Sequence, residues 1–356
     1  MKIIHCADLH LDSKIESNLP PAKSRERKKE IIMAFCKMAD FAVSVKATAV
    51  IIAGDLFDTD RMLPATRDII LGKINDCKAV DFLYLCGNHD AGKALAEYDL
   101  PENLKLFSDN WKTYSYGSVN ITGVELTEEN CRHIYGGLSL SEGVFNIVTM
   151  HGEIGTASGV DAVNRSELND KGIDYLALGH YHSFNSGSLG KNGVWAYAGC
   201  LEGRGFDECG DKGFIELDIA EDLSFSYEFH KNSIRDIVEI ECDVSGLQDT
   251  SDMLKLIDRN TLGIDRNAML KVTLKGGLLA EVIKDLEYLK KHLNERFWFA
   301  KIKDKTYIDI LPENYMNDIS LKGEFIRLVM ASELSEERKS RVIECGLSAL
   351  GGQEVQ

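Results

Sequence analysis

Short apolar runs that end in polar, glycine-bearing loops recur through the first part of the chain: Ile3-Ile4 before Asp8, Val50-Ile51-Ile52 before Gly54-Asp55, and Phe82-Leu83-Tyr84-Leu85 before Gly87-Asn88-His89. A short apolar run bounded by turn residues reads as a buried strand, and here each run empties into a loop able to carry chemistry. Between them, about 24–46 and 64–78, apolar residues fall at helical spacing, as in Ile31, Ile32, Phe35, Met38, Ala39 and Ala42. Strand–helix–strand alternation predicts an α/β core. The same grammar returns where 145–150 runs into His151 and where 173–178 runs into Gly179-His180, and further strands are predicted at about 194–198, 213–219 and 225–230.

After about residue 232 the pattern changes. Residues 237–241 and 270–274 alternate apolar and polar as half-exposed strands do. Apolar residues at 278, 279, 282, 283, 286, 289, 293 and 297 trace a stripe that predicts one helix across that stretch, giving a small α+β unit. Beyond Asn314 two more helices are predicted, about 320–331 and 335–349. Ser335 would cap the second, Glu336 and Glu337 favour its first turn, and Gly351-Gly352 would stop it. The expected organisation is a core over 1–232, a small α+β cap over 233–313 and a helical segment over 314–356.

At 356 residues and 44% apolar, with five prolines, the chain suits a sizeable folded core rather than a disordered tract. The first residues meet a histidine and an aspartate too soon for a secretory signal, and no run approaches a membrane span, so a cytosolic, membrane-free protein is expected. Nine cysteines without a C-x-x-C pair suggest reduced, buried thiols. The net charge of minus 16 argues against a protein that coats nucleic acid, because nonspecific phosphate binding is driven by lysine and arginine. Divalent cations in an acidic site would reverse that charge locally. The basic cluster Lys23, Arg25, Arg27, Lys28 and Lys29 is either a source of further attraction or a solvated helix face.

Five strand-end loops each carry metal-ligand side chains: Asp8 and His10; Asp55 with Asp58; Asn88, His89 and Asp90; His151; His180 and His182. Imidazoles and carboxylates without cysteine suit borderline or hard divalent ions, manganese first, with iron or magnesium as alternatives. His5, His133, His230 and His292 lie outside this set and read as structural. Glu153 is a candidate acceptor for an imidazole N–H.

The ordered set Asp8-x-His10, Gly54-Asp55-x-x-Asp58, Gly87-Asn88-His89-Asp90, His151 and Gly179-His180-x-His182 resembles the signature of the calcineurin-like metallophosphoesterases. That resemblance implies a four-layered αββα sandwich over roughly 1–232. It implies one divalent metal ion on Asp8, His10, Asp55 and His182, and a second on Asp55, Asn88, His151 and His180. Asp55 would bridge them. His89 would be the catalytic residue that stabilises charge at phosphorus or protonates the departing oxygen, with Asp58 orienting it. For Asp58 and Asp90, bracing of a loop is the alternative.

The flanking residues Leu56-Phe57-Asp58-Thr59, Pro64 and Arg67 are similar to SbcD-type nucleases, and the stretch from Tyr197 to Gly213 resembles the YhaO-like branch. Cys200 stands where such chains often carry serine or asparagine. The resemblance implies a DNA exonuclease of repair or recombination, its cap positioning DNA, its terminal helices docking an SbcC-like coiled-coil ATPase, and a homodimer. Two other readings stay open here: a phosphodiesterase acting on small molecules such as cyclic nucleotides, and a noncatalytic assembly subunit of an ATPase complex.

Overall fold

The computed structural model describes residues 1–15, 19–58, 63–90, 95, 98–155, 159–279, 282–309 and 318–350. It divides into two compact units, Met1–Asp236 and Ile237–Gln356.

In chain order the first unit contains β1 (Lys2–Cys6), α1 (Pro21–Ser44), β2 (Ala49–Ala53), α2 (Pro64–Asp76), β3 (Asp81–Leu85), β4 (Leu104–Leu106), β5 (Lys112–Tyr116), β6 (Val119–Gly123) and β7 (Phe145–His151). There follow β8 (Glu153–Gly155), β9 (Ala162–Asn164), α3 (Arg165–Leu168), β10 (Tyr175–Gly179), β11 (Asn185–Leu189), β12 (Gly193–Tyr197), β13 (Gly213–Ile219) and β14 (Phe225–Lys231). Both long helices open on proline, whose fixed φ suits a first turn and whose missing N–H is not needed there.

Two six-stranded sheets result, ordered β14-β13-β1-β2-β3-β4 and β11-β12-β10-β7-β6-β5. The strands that precede the candidate loops run parallel within their sheets: β1 with β2, β2 with β3, and β7 with β10. Strand periodicity of two then sorts the side chains. Ile3, Ala49, Ile51, Ala53, Leu83 and Leu85 from one sheet meet Ile121, Phe145, Ile147, Tyr175 and Ala177 from the other. The alternate residues Ile4, Cys6, Val50, Ile52, Phe82 and Tyr84 face Phe35, Met38, Ile70 and Ile74 of α1 and α2. On the far side of the second sheet, Val148, Met150, Leu176 and Leu178 pack on Ile134, Tyr135 and Leu168. This is the expected four-layered sandwich, with an outer layer on that side that includes a turn at 134–137 and the single-turn α3. Strands such as β2 and β10, buried at every position, explain the continuous apolar runs, each buried Ile or Leu being worth roughly 1.5–3 kcal/mol.

Two expectations about surface chemistry need correction. Arg27 does not belong to an exposed basic face: its side chain is fully buried and pairs with Glu30 and, at 2.7 Å, with Glu202, because a buried guanidinium must be matched by carboxylates. The cysteines are all free, but only Cys6, Cys77, Cys200 and Cys242 are buried, and Cys345 is exposed.

The second unit holds β15 (Ile237–Asp243), α4 (Thr250–Asn260), β16 (Met269–Leu278), α5 (Leu286–Arg296) and β17 (Phe299–Ile308), followed by α6 (Leu321–Met330) and α7 (Glu336–Leu350). The three strands are parallel in the order β15-β16-β17, which requires crossovers, and α4 and α5 supply them. The sequence pattern leaves α4 and β17 unpredicted; β17 carries lysine at 301, 303 and 305 and so reads as polar. The helix expected over 278–297 is shorter. Leu278 ends β16 opposite Ile308, and α5 begins only where the Asp285 side chain accepts the Tyr288 N–H at 2.9 Å. The two terminal helices fall as expected, with Ser320 accepting from Gly323 N at 3.1 Å and Ser335 from Arg338 N at 3.4 Å. Gly351-Gly352 lies outside the described residues. No helix among the described residues is long and apolar enough to cross a membrane.

Candidate metal centre

Every candidate loop leaves the carboxyl end of a parallel strand, where ligand crevices of open α/β sheets form. Backbone hydrogen bonds lock the loops together: Asp8 N to Gly54 O at 3.1 Å, His10 N to Asp55 O at 2.9 Å, Gly152 N to Gly179 O at 3.1 Å. Of the seven non-glycine residues with positive φ among those described, four are Asp8, His10, Asp55 and His180. Such conformations cost energy and persist where the surroundings over-determine them. The approach is so close that a Cβ on Gly87 would collide with the Asp55 carboxylate.

The structure brings the ligand-bearing atoms of Asp8, His10 and His182 within 4.8 Å of one another, and likewise those of Asp8, Asp55 and His151. His10 Nε2 lies 3.1 Å from His182 Nε2 and 3.6 Å from Asp55 Oδ2. His151 Nε2 lies 3.3 Å from Asp55 Oδ2 and 3.0 Å from Asn88 Oδ1. The His180 backbone N–H donates to Asp8 at 2.9 Å, and its ring stands edge-on to His151 with centroids 5.5 Å apart. Side chains of Asp8, His10, Asp55 and His151 form a buried floor, whereas His182 and His89 reach solvent.

The remaining hydrogen bonds fix the imidazole tautomers. His10 Nδ1 meets Asp58 Oδ1 at 3.0 Å, His182 Nδ1 meets Glu208 Oε1 at 2.7 Å, and His151 Nδ1 meets Ala53 O at 2.9 Å. Each of these oxygens accepts, so each Nδ1 carries a proton, and in the neutral ring each Nε2 would offer its lone pair to an ion. Nε2 of His10 and Nε2 of His182 face each other, and Nε2 of His151 faces the oxygens of Asp55 and Asn88. Nitrogens and oxygens of ligand type converge here, and in the metal-free protein the proton that His151 shares with Asp55 stands where a cation would.

Burial pushes the Asp8 carboxyl up to about 7 despite the nearby imidazoles, and a cation beside it would favour its ionised form. Burial would raise Asp55 too, but His151, His10 and the His89 N–H hold it down at about 2. Burial works against the His151 cation, yet Asp55 and Asp8 raise it to about 9, while His10 is lowered to about 4 by burial and by Arg204.

Asp58 does more than touch one neighbour: Oδ1 accepts from His10 and lies 3.1 Å from His89 Nδ1. Asp90 accepts from the backbone N–H groups of Leu56, Phe57 and Gly87 at 3.2, 2.7 and 2.9 Å, which makes it the brace between two ligand loops. Glu153 accepts from the Tyr181 hydroxyl at 2.8 Å rather than from an imidazole, because the Tyr181 ring reaches it first. His5 is structural: its ring lies between the sheets, bonded to Tyr175 Oη and Leu178 O. Sequence reasoning missed Glu208 and Arg204. Their only local signal is the charged, glycine-rich run from Glu202 to Lys212, which no periodicity connects to His182.

This fold and site define a metallophosphoesterase. The family model for calcineurin-like phosphoesterases matches residues 1–184, and the chain belongs to that family of divalent-metal hydrolases. Among curated proteins it is similar to the uncharacterized metallophosphoesterase YhaO of Bacillus subtilis, 28% identical over 250 residues, which are 65% of this chain and 60% of that one. It is also similar to the DNA double-strand break repair protein Mre11 of Methanosarcina acetivorans, 28% identical over 57% of this chain and 34% of that one. Mre11 of Sulfolobus acidocaldarius is 24% identical over 78% of this chain and 75% of that one. The match takes in less than two thirds of the length of the first two relatives.

Proposed function

We propose that the chain is a two-metal DNA phosphodiesterase of the SbcD type, acting as an exonuclease. Asp8, His10, Asp55 and His182 hold one divalent ion, and Asp55, Asn88, His151 and His180 hold the other. The observation that carries this reading is the meeting of imidazole nitrogens with carboxylate and amide oxygens, His10 Nε2 lying 3.1 Å from His182 Nε2 and His151 Nε2 3.0 Å from Asn88 Oδ1. Manganese fits this mixed nitrogen and oxygen set. A pair of such ions supplies a nucleophile at neutral pH and neutralises charge developing at phosphorus.

The protein's own groups do the rest. Asp58 holds His89 through Nδ1, which leaves Nε2 of that half-exposed ring to meet a phosphate oxygen or to give a proton to the departing one. Asp90 keeps the loops bearing Asp55 and Asn88 in register. The choice of DNA rests on the similarity to proteins named for double-strand break repair. From the resemblance to SbcD-type nucleases the proposal extends to a cap that positions DNA, a homodimer, and docking of an SbcC-like coiled-coil ATPase on α6 and α7, where Leu321 and Leu328 are exposed.

The test compares manganese-loaded protein on linear DNA, bis-p-nitrophenyl phosphate and cyclic AMP, alone and with the ATPase. Cleavage from DNA ends is expected, and replacement His89→Ala should abolish it while leaving folding and both ions in place. Protein that keeps two ions but cuts no DNA end, or a His89→Ala variant with undiminished rate, overturns the reading.

A further inference from the structure

One metal-ligand histidine is gripped by a segment far along the chain. Glu208 accepts His182 Nδ1–H at 2.7 Å with only 4% of its side chain exposed. Arg204 in turn holds Glu208, donating from Nε at 2.9 Å, from Nη2 at 2.6 Å and from its backbone N–H to the other carboxylate oxygen at 2.7 Å. The same guanidinium reaches the opposite side of the site, with Nη1 4.0 Å from Asp58 Oδ2. Asp58 is the carboxylate that orients His10 and His89. Arg204 therefore stands between the two acids that aim three of the site's imidazoles.

The backbone of His182 is held by the same segment. The buried Lys212 ammonium donates to His182 O at 2.6 Å, and Cys200 Sγ lies 3.5 Å from it. On its other flank Arg27 donates to Glu202 at 2.7 Å and to Gly203 O, which anchors the residues next to Arg204 to α1. His151, by contrast, is oriented by a neutral main-chain carbonyl, Ala53 O. The two halves of the site thus differ in kind: one is backed by ionised side chains and the other by a peptide group.

We infer that Glu208 and Arg204 are a positioning pair for His182, setting the affinity of the ion on the His10 and His182 side without touching the ion on the His151 side. The inference rests on the two-ion reading above. A carboxylate behind a ligand imidazole fixes its ring and raises its basicity, and loss of such a partner costs about 10–100-fold in metal affinity. Arginine is required behind it because a planar fork can serve Glu208 through two N–H groups while still facing Asp58, which the point charge of lysine cannot do.

The experiment is calorimetric titration of the metal-free full-length protein with manganese chloride, paired with electron paramagnetic resonance to follow coupling between the two ions. Wild type should take up two ions. Glu208→Gln should weaken one of them about 10–100-fold, leave the other unchanged, and keep the melting temperature of the metal-free protein. Arg204→Lys should weaken the same ion to a lesser degree, and Glu153→Gln should change neither. Two unchanged ions in Glu208→Gln overturn the inference while the two-ion reading stands. Equal loss of both ions with a lowered apoprotein melting temperature also overturns it, since that is what a general brace would do. Unchanged binding in Arg204→Lys removes Arg204 from the pair. Failure of wild type to take up two ions defeats the functional reading itself.

Discussion

A single histidine outside the candidate metal centre shows how burial sets chemistry. His5 alternates inward on β1, so its ring sits between the sheets, where Tyr175 Oη donates to Nδ1 at 3.0 Å and Nε2–H donates to Leu178 O at 3.2 Å. Burial lowers its pKa to about 3, because a cation there would face neither water nor a carboxylate. Between that value and the ordinary 6.5 the unfolded chain binds a proton that the folded chain refuses. The contribution is complete above pH 6.5 and is lost as pH falls toward about 3, by up to roughly 1.4 kcal/mol per pH unit. Urea unfolding of metal-free wild type should therefore weaken more steeply between pH 6 and pH 4.5 than that of His5→Leu. Parallel pH profiles would show that His5 titrates normally in the fold.

Among elements, boundaries are decided by capping as much as by periodicity. The apolar stripe of 278–297 is continuous in sequence, but its first residue is strand: Leu278 pairs with Ile308 in β16 and β17. Asp285 starts α5 by accepting from Tyr288 N, and Leu289 and Leu293 are the stripe residues that the helix then buries. Removing such a cap costs about 1 kcal/mol. Asp285→Ala is accordingly expected to lower the stability of the second unit by about 1 kcal/mol in denaturant titration while leaving metal uptake untouched. A larger loss, or a loss of metal, would show that Asp285 does something other than begin a helix.

At the scale of the molecule, the candidate metal ligands and their supports, from Asp8 to Glu208 and Lys212, all fall within Met1–Asp236. The buried ion pairs of Arg27 and Arg235 with Glu30, and of Arg27 with Glu202, close that unit on itself. A fragment of residues 1–236 should thus fold, take up both ions and hydrolyse bis-p-nitrophenyl phosphate at a rate close to that of the full chain. Circular dichroism with metal analysis checks the first two, and a folded fragment that binds fewer ions would place a missing support in the second unit.

The sequence alone determined the strand-and-loop rhythm of the sandwich and the order of its ligand-type residues. Both are local properties: a strand buried on two faces must be apolar throughout, and a ligand must follow it directly to stand at the sheet's edge. Only the tertiary structure decided what surrounds those residues. It turned Arg27 inward to Glu202, gave Glu153 to Tyr181, delayed the start of a helix to Asp285, and set Glu208 behind His182. Arg27 and Glu202 are 175 residues apart and no repeat connects them. Their meeting depends on which strands lie side by side, and that order is a property of the folded sheets rather than of any window of the chain.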